Sequence, residues 1–293
     1  MSAAATAGRL ARLAVAALAL AAAAPGPAWG WGALGHRAVA EAVPSRYPPE
    51  MAAFHALDSR WIPRVMDADR RKSDSRFAGE RFRHFIDIDA YPEYRRDGSL
   101  NLSLAGLVAR YGRATVERRG LLPWAIDSTV AALTVAMRES RWDRVPTLVA
   151  DLCHYCGDLT QPLHCTENED GERSGQNGIH VRYETELLAR YADALNLGPG
   201  RPLAVDSVLA TAMSEAARSQ RAVGSLLEHD RDAGRYGVGT PAYYDRLWVL
   251  EGAATRERLA RAADLTAGFL FVAWRRAGMP TLRPTSSPSA GGD

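Results

Sequence analysis

The chain has 293 residues, 47% of them hydrophobic and 24% charged, enough apolar content to bury the core of one large domain and too much for a disordered polymer. Its 36 basic residues against 34 acidic ones include Arg9 and Arg12 near the start, so the rest of the chain is formally neutral. That balance excludes a globally basic nucleic-acid or membrane binder, and any attraction for phosphate must be local.

Residues 1–30 differ in character from the rest of the chain. Arg9 and Arg12 precede the apolar run LAVAALALAAAA, and Ala28 and Gly30 supply small residues after it. This is the pattern of a secretory signal with a cut between Gly30 and Trp31, and the run is too short to span a membrane comfortably. The mature protein is therefore expected to be secreted or periplasmic. Beyond Trp31 the apolar residues recur at helical spacing, as in the stripe Val145, Leu148, Val149, Leu152, Cys156 and Leu159. Similar patterns run over about 124–139, 182–196, 203–228 and 251–275, with breaks at Pro44, Pro48-Pro49, Gly171 to Gly178 and Gly198 to Pro202. Alternating strand patterns are nearly absent. The expectation is an all-α, single-domain multi-helix bundle over residues 31–280, followed by a Ser/Pro/Gly-rich tail over 281–293 that lacks the apolar content to fold.

Three cysteines, Cys153, Cys156 and Cys165, are an odd number for an exported chain. Cys153 and Cys156 sit one helical turn apart, where a disulfide is geometrically poor, so at least one thiol is expected to be buried and inert. The histidines offer a fuller metal site than the cysteines. In DLCHYCGDLTQPLH, His154 and Asp158 are four apart, project from one helix face opposite the apolar stripe, and are followed by a Pro162 turn that delivers His164. In GIHVRYETELL, His180 and Glu184 repeat that spacing. One such pair would pass as an ordinary surface ion pair. Two of them, with His164 and with His84 in HFIDID, supply the imidazole and carboxylate ligands that suit zinc. Asp151, one turn before His154, is either an acceptor behind a ligand or an ion-pair partner. His55 and His229 stand apart from these segments and read as surface residues.

The segments HYCGDLTQPLH, HVRYE, HFIDID and WGALGH resemble the superfamily that unites trinuclear-zinc phospholipases C with the single-strand-specific zinc nucleases of fungi and plants, over roughly residues 31–190. The resemblance implies an α-helical fold with three zinc ions. It places one zinc on His84, His154, Asp158 and an upstream aspartate, and a second on His164, His180 and Glu184. A third falls to the amino group and carbonyl of Trp31, to His36, and to Asp158 as a bridge. The segment VMDADRRKSD offers Asp67, Asp69 and Asp74 as the upstream aspartate. Asp67 is preferred because Arg70 follows it by three residues, as in the nucleases. Asp69 stays open because its separation of 15 residues from His84 also fits them.

The implied activity is hydrolysis of a phosphodiester, with Asp158 bridging two ions, Asp67 orienting the attacking water or acting as its base, and Arg70 offsetting charge at phosphorus. On the nuclease side, Phe85 is expected to stack on a base and Asp87 to accept hydrogen bonds from it. On the phospholipase side, Tyr183 precedes Glu184 as in those enzymes, while Ala33 or Leu34 replaces the acidic residue they carry for choline. The expected substrate is therefore single-stranded nucleic acid or a nucleotide, with phospholipid as the alternative and a zinc-bound, non-catalytic binding protein as a further one.

Overall fold

The computed structural model describes residues 31–282 as an all-α single domain, and among these residues there is no strand. The expected leader and most of the expected tail lie outside the described residues. The first helices are short: α1 (Gly32–Ala42), α2 (His55–Trp61), α3 (Asp67–Lys72), α4 (Pro92–Asp97), α5 (Leu104–Tyr111) and α6 (Arg113–Arg118). Proline-rich 3₁₀ turns separate α1 from α2, at the Pro44 and Pro48-Pro49 breaks. Two long helices follow, α7 (Leu122–Arg138) and α8 (Val145–Thr160), each with proline in its first turn, where a missing N–H costs nothing.

A composite helix, α9, comprises Ile179–Val181, a π-helical turn at Arg182–Glu186 and Leu187–Arg190. The chain ends in α10 (Val208–Arg221), α11 (Val223–Gly234) and the 36-residue α12 (Pro241–Arg276). Ser207 and Thr240 cap α10 and α12 by accepting the N–H groups of Ala210 and Tyr243. The single helix expected over 203–228 is two, because the chain turns at Ala222 after Ser207 has started it late. No helix of the described residues is long and apolar enough to cross a membrane.

Helix α8 is the axis of the molecule. It packs against α1, α2, α3, α7, α10 and α12, so every residue from Leu152 to Thr160 is buried. The side of α8 that carries His154 and Asp158, opposite its apolar stripe, is buried as well, because α1 and α3 cover it. A helix enclosed on all sides must satisfy its polar groups internally, and that requirement shapes the site.

Candidate metal centre

Six segments deliver side chains to one buried region. His36 comes from α1, Asp69 from α3, His84 from the end of a 3₁₀ turn at Glu80–Arg83, and His154 and Asp158 from α8. His164 comes from the Pro162–Cys165 turn, and His180 and Glu184 from α9. The main chain ties two of these segments together: Ile86 donates to the carbonyl of His164 at 2.8 Å, and His164 Nδ1 lies 2.6 Å from the carbonyl of His84. Asp170 sets the start of α9 by accepting the backbone N–H groups of Gly178 at 2.9 Å and His180 at 3.2 Å.

These side chains form three buried groups able to hold metal ions: Asp69, His84 and His154; His164, His180 and Glu184; and His36, His154 and Asp158. In the first, His84 Nδ1 lies 2.9 Å from Asp158 Oδ2, 3.1 Å from His154 Nε2 and 3.7 Å from Asp69 Oδ1. His154 Nε2 is 3.4 Å from both carboxylates. A tetrahedral zinc ion with bonds near 2.0–2.1 Å spaces its ligands by about 3.3 Å, and these separations of 2.9–3.7 Å bracket that edge length. In the second group His180 Nε2 is 2.9 Å from Glu184 Oε2 and 3.1 Å from His164 Nε2, with 3.6 Å between His164 Nε2 and Glu184 Oε2.

Asp158 faces two ways. Its Oδ2 turns to His84 and His154, and its Oδ1 lies 3.3 Å from His36 Nε2. The His36 and His154 rings stack at 3.9 Å. This approach needs Gly157, because a Cβ there would fall 2.7 Å from His36 Nδ1. Trp31 is fully buried beside them, its indole donating to Thr160 Oγ1 at 3.3 Å and its ring packed on Tyr183 at 5.4 Å. The amino group of Trp31 as a ligand depends on removal of residues outside the described range.

Buried polar atoms without hydrogen-bond partners are rare in folded proteins. Among the described residues there are eleven, and seven of them belong to His36, Asp69, His84, Asp158 and Glu184. An ion pair with Lys72 at 2.6 Å partly offsets the charge of Asp69. The protonation equilibria point the same way. Burial opposes charge on His154, yet Asp158 and Asp69 push its pKa up to about 10, and Glu184 does the same for His180, up to about 9. The carboxylates require positive charge, from protons or from metal. Burial and the neighbouring His154 lower His36 to about 4, which keeps it the neutral imidazole a metal needs. The residues present therefore fit metal ions, and their imidazole and carboxylate chemistry is compatible with zinc.

Asp67, the preferred upstream ligand, lies on the outer side of α3, where its carboxylate pairs with Arg70 at 2.5 Å. Residues two apart on a helix differ by about 200° in direction, so only one of Asp67 and Asp69 can face α8. Asp69 is the fully buried one. The same geometry sends Arg70 to solvent and brings Lys72 to the cluster. Asp74 caps a turn, pairs with Arg76 and stays outside. Asp151 is an ion-pair partner, 2.8 Å from Arg71. His55 pairs with Asp58 on the surface, and His229 is half-buried against Glu251. All three cysteines are buried and free.

A cleft of about 640 Å³ opens on the cluster, lined by His84, His164 and His180 together with Phe85, Lys72 and Arg81. Glu169, Asp170 and Glu186 form its acidic side. Asp87 does not line this cleft. Burial, with Glu169 and Asp89 nearby, pushes its carboxyl up to about 8. Sequence reasoning missed Gln161, whose Nε2 donates to Glu184 Oε2 at 3.1 Å and whose Oε1 accepts from Leu163. Its position between a ligand helix and a proline turn was the available signal. No protein-family model matches the chain, and no curated protein matches it.

Proposed function

We propose that the protein is an exported zinc-dependent phosphodiester hydrolase that acts on single-stranded nucleic acid or nucleotides. The observation that carries this reading is the set of three adjoining ligand groups, two of which share His154, with Asp158 2.9 Å from His84 and 3.8 Å from His164 between them, and with most of the unpartnered buried side-chain polar atoms of the described residues concentrated in them. The resemblance in HYCGDLTQPLH, HVRYE, HFIDID and WGALGH supports the same chemistry and the count of three ions. Asp69, His84, His154 and Asp158 would hold one ion; His164, His180 and Glu184 a second; His36, Asp158 and the main chain of Trp31 a third. Zinc bound there supplies Lewis acidity to a phosphoryl oxygen and acidifies an attacking water.

The chain's own residues do the rest. Asp69 would take the role expected of Asp67: its Oδ2 is buried and without a hydrogen bond, which leaves it able to accept the proton of an attacking water. Lys72 and Arg81 line the cleft and offset the charge that develops on the phosphoryl group, as Arg70 was expected to do. Phe85, half-buried on the cleft wall, offers a face for a base. Gln161 holds Glu184 in place.

The test is a substrate panel on protein that begins at Trp31, with zinc measured on the same sample. Three zinc ions and cleavage of single-stranded DNA or 3′-nucleotides, but not of lecithin, is the expected result. Cleavage of lecithin alone would assign the site to a phospholipase C, and zinc without turnover on any of these would make the protein a binding module.

A further inference from the structure

Histidines that hold a metal through one ring nitrogen usually give the other nitrogen a fixed acceptor. His154 Nδ1 lies 2.9 Å from the carbonyl of Val65, and His164 Nδ1 has the carbonyl of His84. His84 is turned the other way, with Nδ1 toward the ligand group, so its Nε2 must find the acceptor. That atom is buried and without a hydrogen bond. The nearest carboxylate is Glu80 Oε1, at 3.6 Å, and it is itself held on several sides. Tyr155, next to His154 on α8, donates its hydroxyl to Glu80 Oε1 at 2.5 Å. Arg71 reaches the same oxygen at 3.3 Å and Arg83 lies 3.8 Å from Oε2. Arg83 Nε also donates to the Tyr155 hydroxyl at 3.0 Å, and the Tyr155 ring meets the edge of His84 with 5.4 Å between centroids. Glu80, with its side chain 10% exposed, is thus fixed by three groups none of which ligates the metal.

We infer that Glu80 is a positioning residue for the first metal: it receives the Nε2 proton of His84 and so fixes the ring with Nδ1 free to ligate. A shift of about 0.7 Å brings the pair to ordinary hydrogen-bond length. Glu80 opens and His84 closes the 3₁₀ turn that begins at Gly79, a glycine with φ of +92°, and the 3.6 Å approach of their side chains supports the role. A negative acceptor also raises the basicity of the ring, which a neutral amide does only weakly. The inference rests on the proposed zinc reading.

The experiment compares wild type, Glu80→Ala, Glu80→Gln and Tyr155→Phe, each beginning at Trp31 and loaded with zinc, then exposed to graded chelator with metal content and circular dichroism recorded together. Cobalt-substituted samples add the visible spectrum of the ion. Glu80→Ala is expected to release one ion of three at about 10–100-fold lower chelator, with helicity intact and an altered cobalt band. Glu80→Gln should recover part of that resistance, and Tyr155→Phe should lie between Gln and wild type. If Glu80→Ala fails to fold, a folded Glu80→Gln that releases one ion early supports the role, and one as resistant as wild type overturns it. Three ions held equally by wild type and all variants overturn the inference alone. A wild type that takes up no metal overturns the proposed function and this inference with it.

Discussion

Asp67 and Asp69 are the same side chain two positions apart, and the half-turn of α3 between them sends one to an arginine in solvent and the other to the ligand group. Asp69→Asn is therefore expected to lose one zinc ion and about 10²–10³-fold in turnover, while Asp67→Asn stays within about twofold of wild type, both read by metal analysis and single-strand cleavage. Equal effects from the two would reject the placement. The sequence could not separate them, because a six-residue helix has too few apolar positions to declare its phase. His154 and His180 were legible, since their four-residue spacing to carboxylates fixes the side chains on one face whatever surrounds the helix, while His36, His84 and His164 were found through their segments and the resemblance these carry.

Glu80 carried the same spacing to His84 and could have been found by it. Asp87 supplies the pH test. Its carboxyl, ordinarily near 3.8, stands at about 8 because burial and then Glu169, Asp89 and Glu167 disfavour the charge. A raised carboxylate pKa means that ionisation opposes folding, with a penalty that begins as pH passes the unfolded value and is complete above about 8. Asp87→Asn should thus melt like wild type at pH 4 and several degrees higher at pH 8.5. A constant difference across that range would remove Asp87 as its cause.

At the scale of elements, the contact between α1 and α8 is decided by Gly157. Glycine inside a helix costs about 1 kcal/mol relative to alanine, so local propensity alone favours Gly157→Ala. The added Cβ would meet the His36 ring at 2.7–2.8 Å, so the ring must shift from its place beside Asp158 or α1 must move with it. The expected outcome is unchanged helicity with two zinc ions in place of three. Three ions in Gly157→Ala would show that α1 yields without losing its ligand. An interior glycine one position before a ligand was a readable signal of close approach.

Which elements enclose α8 was not readable. His154 and Asp158 mark one side of it as a ligand side, and the packing of the short helices α1 and α3 over that side makes α8 the centre of the domain. The π turn at Arg182–Glu186 was equally hidden; it lies where Gly32 approaches the main chain of Glu184 and Thr185, and no residue pattern in the sequence announces it.

For the whole molecule, the proposed zinc binding would make folding and metal uptake one equilibrium, because the buried carboxylates and imidazoles need positive charge. Each ion held at 1,000 times its Kd contributes about 4 kcal/mol, and for a domain of this size 1 kcal/mol moves Tm by about 2–4 °C. Chelation should lower Tm by at least about 10 °C and zinc should restore it. An unchanged Tm would mean that protons alone satisfy the cluster.

The three cysteines then acquire a use. Cys153 and Cys156 lie on α8 and Cys165 just beyond it, all fully buried; burial lifts Cys153 to about 12 and the other two well above their ordinary range. None presents a thiolate to a reagent while the helices stay closed. Alkylation of this protein would accordingly be a clock for the opening of its central helix, silent in the loaded state and started by the chelator.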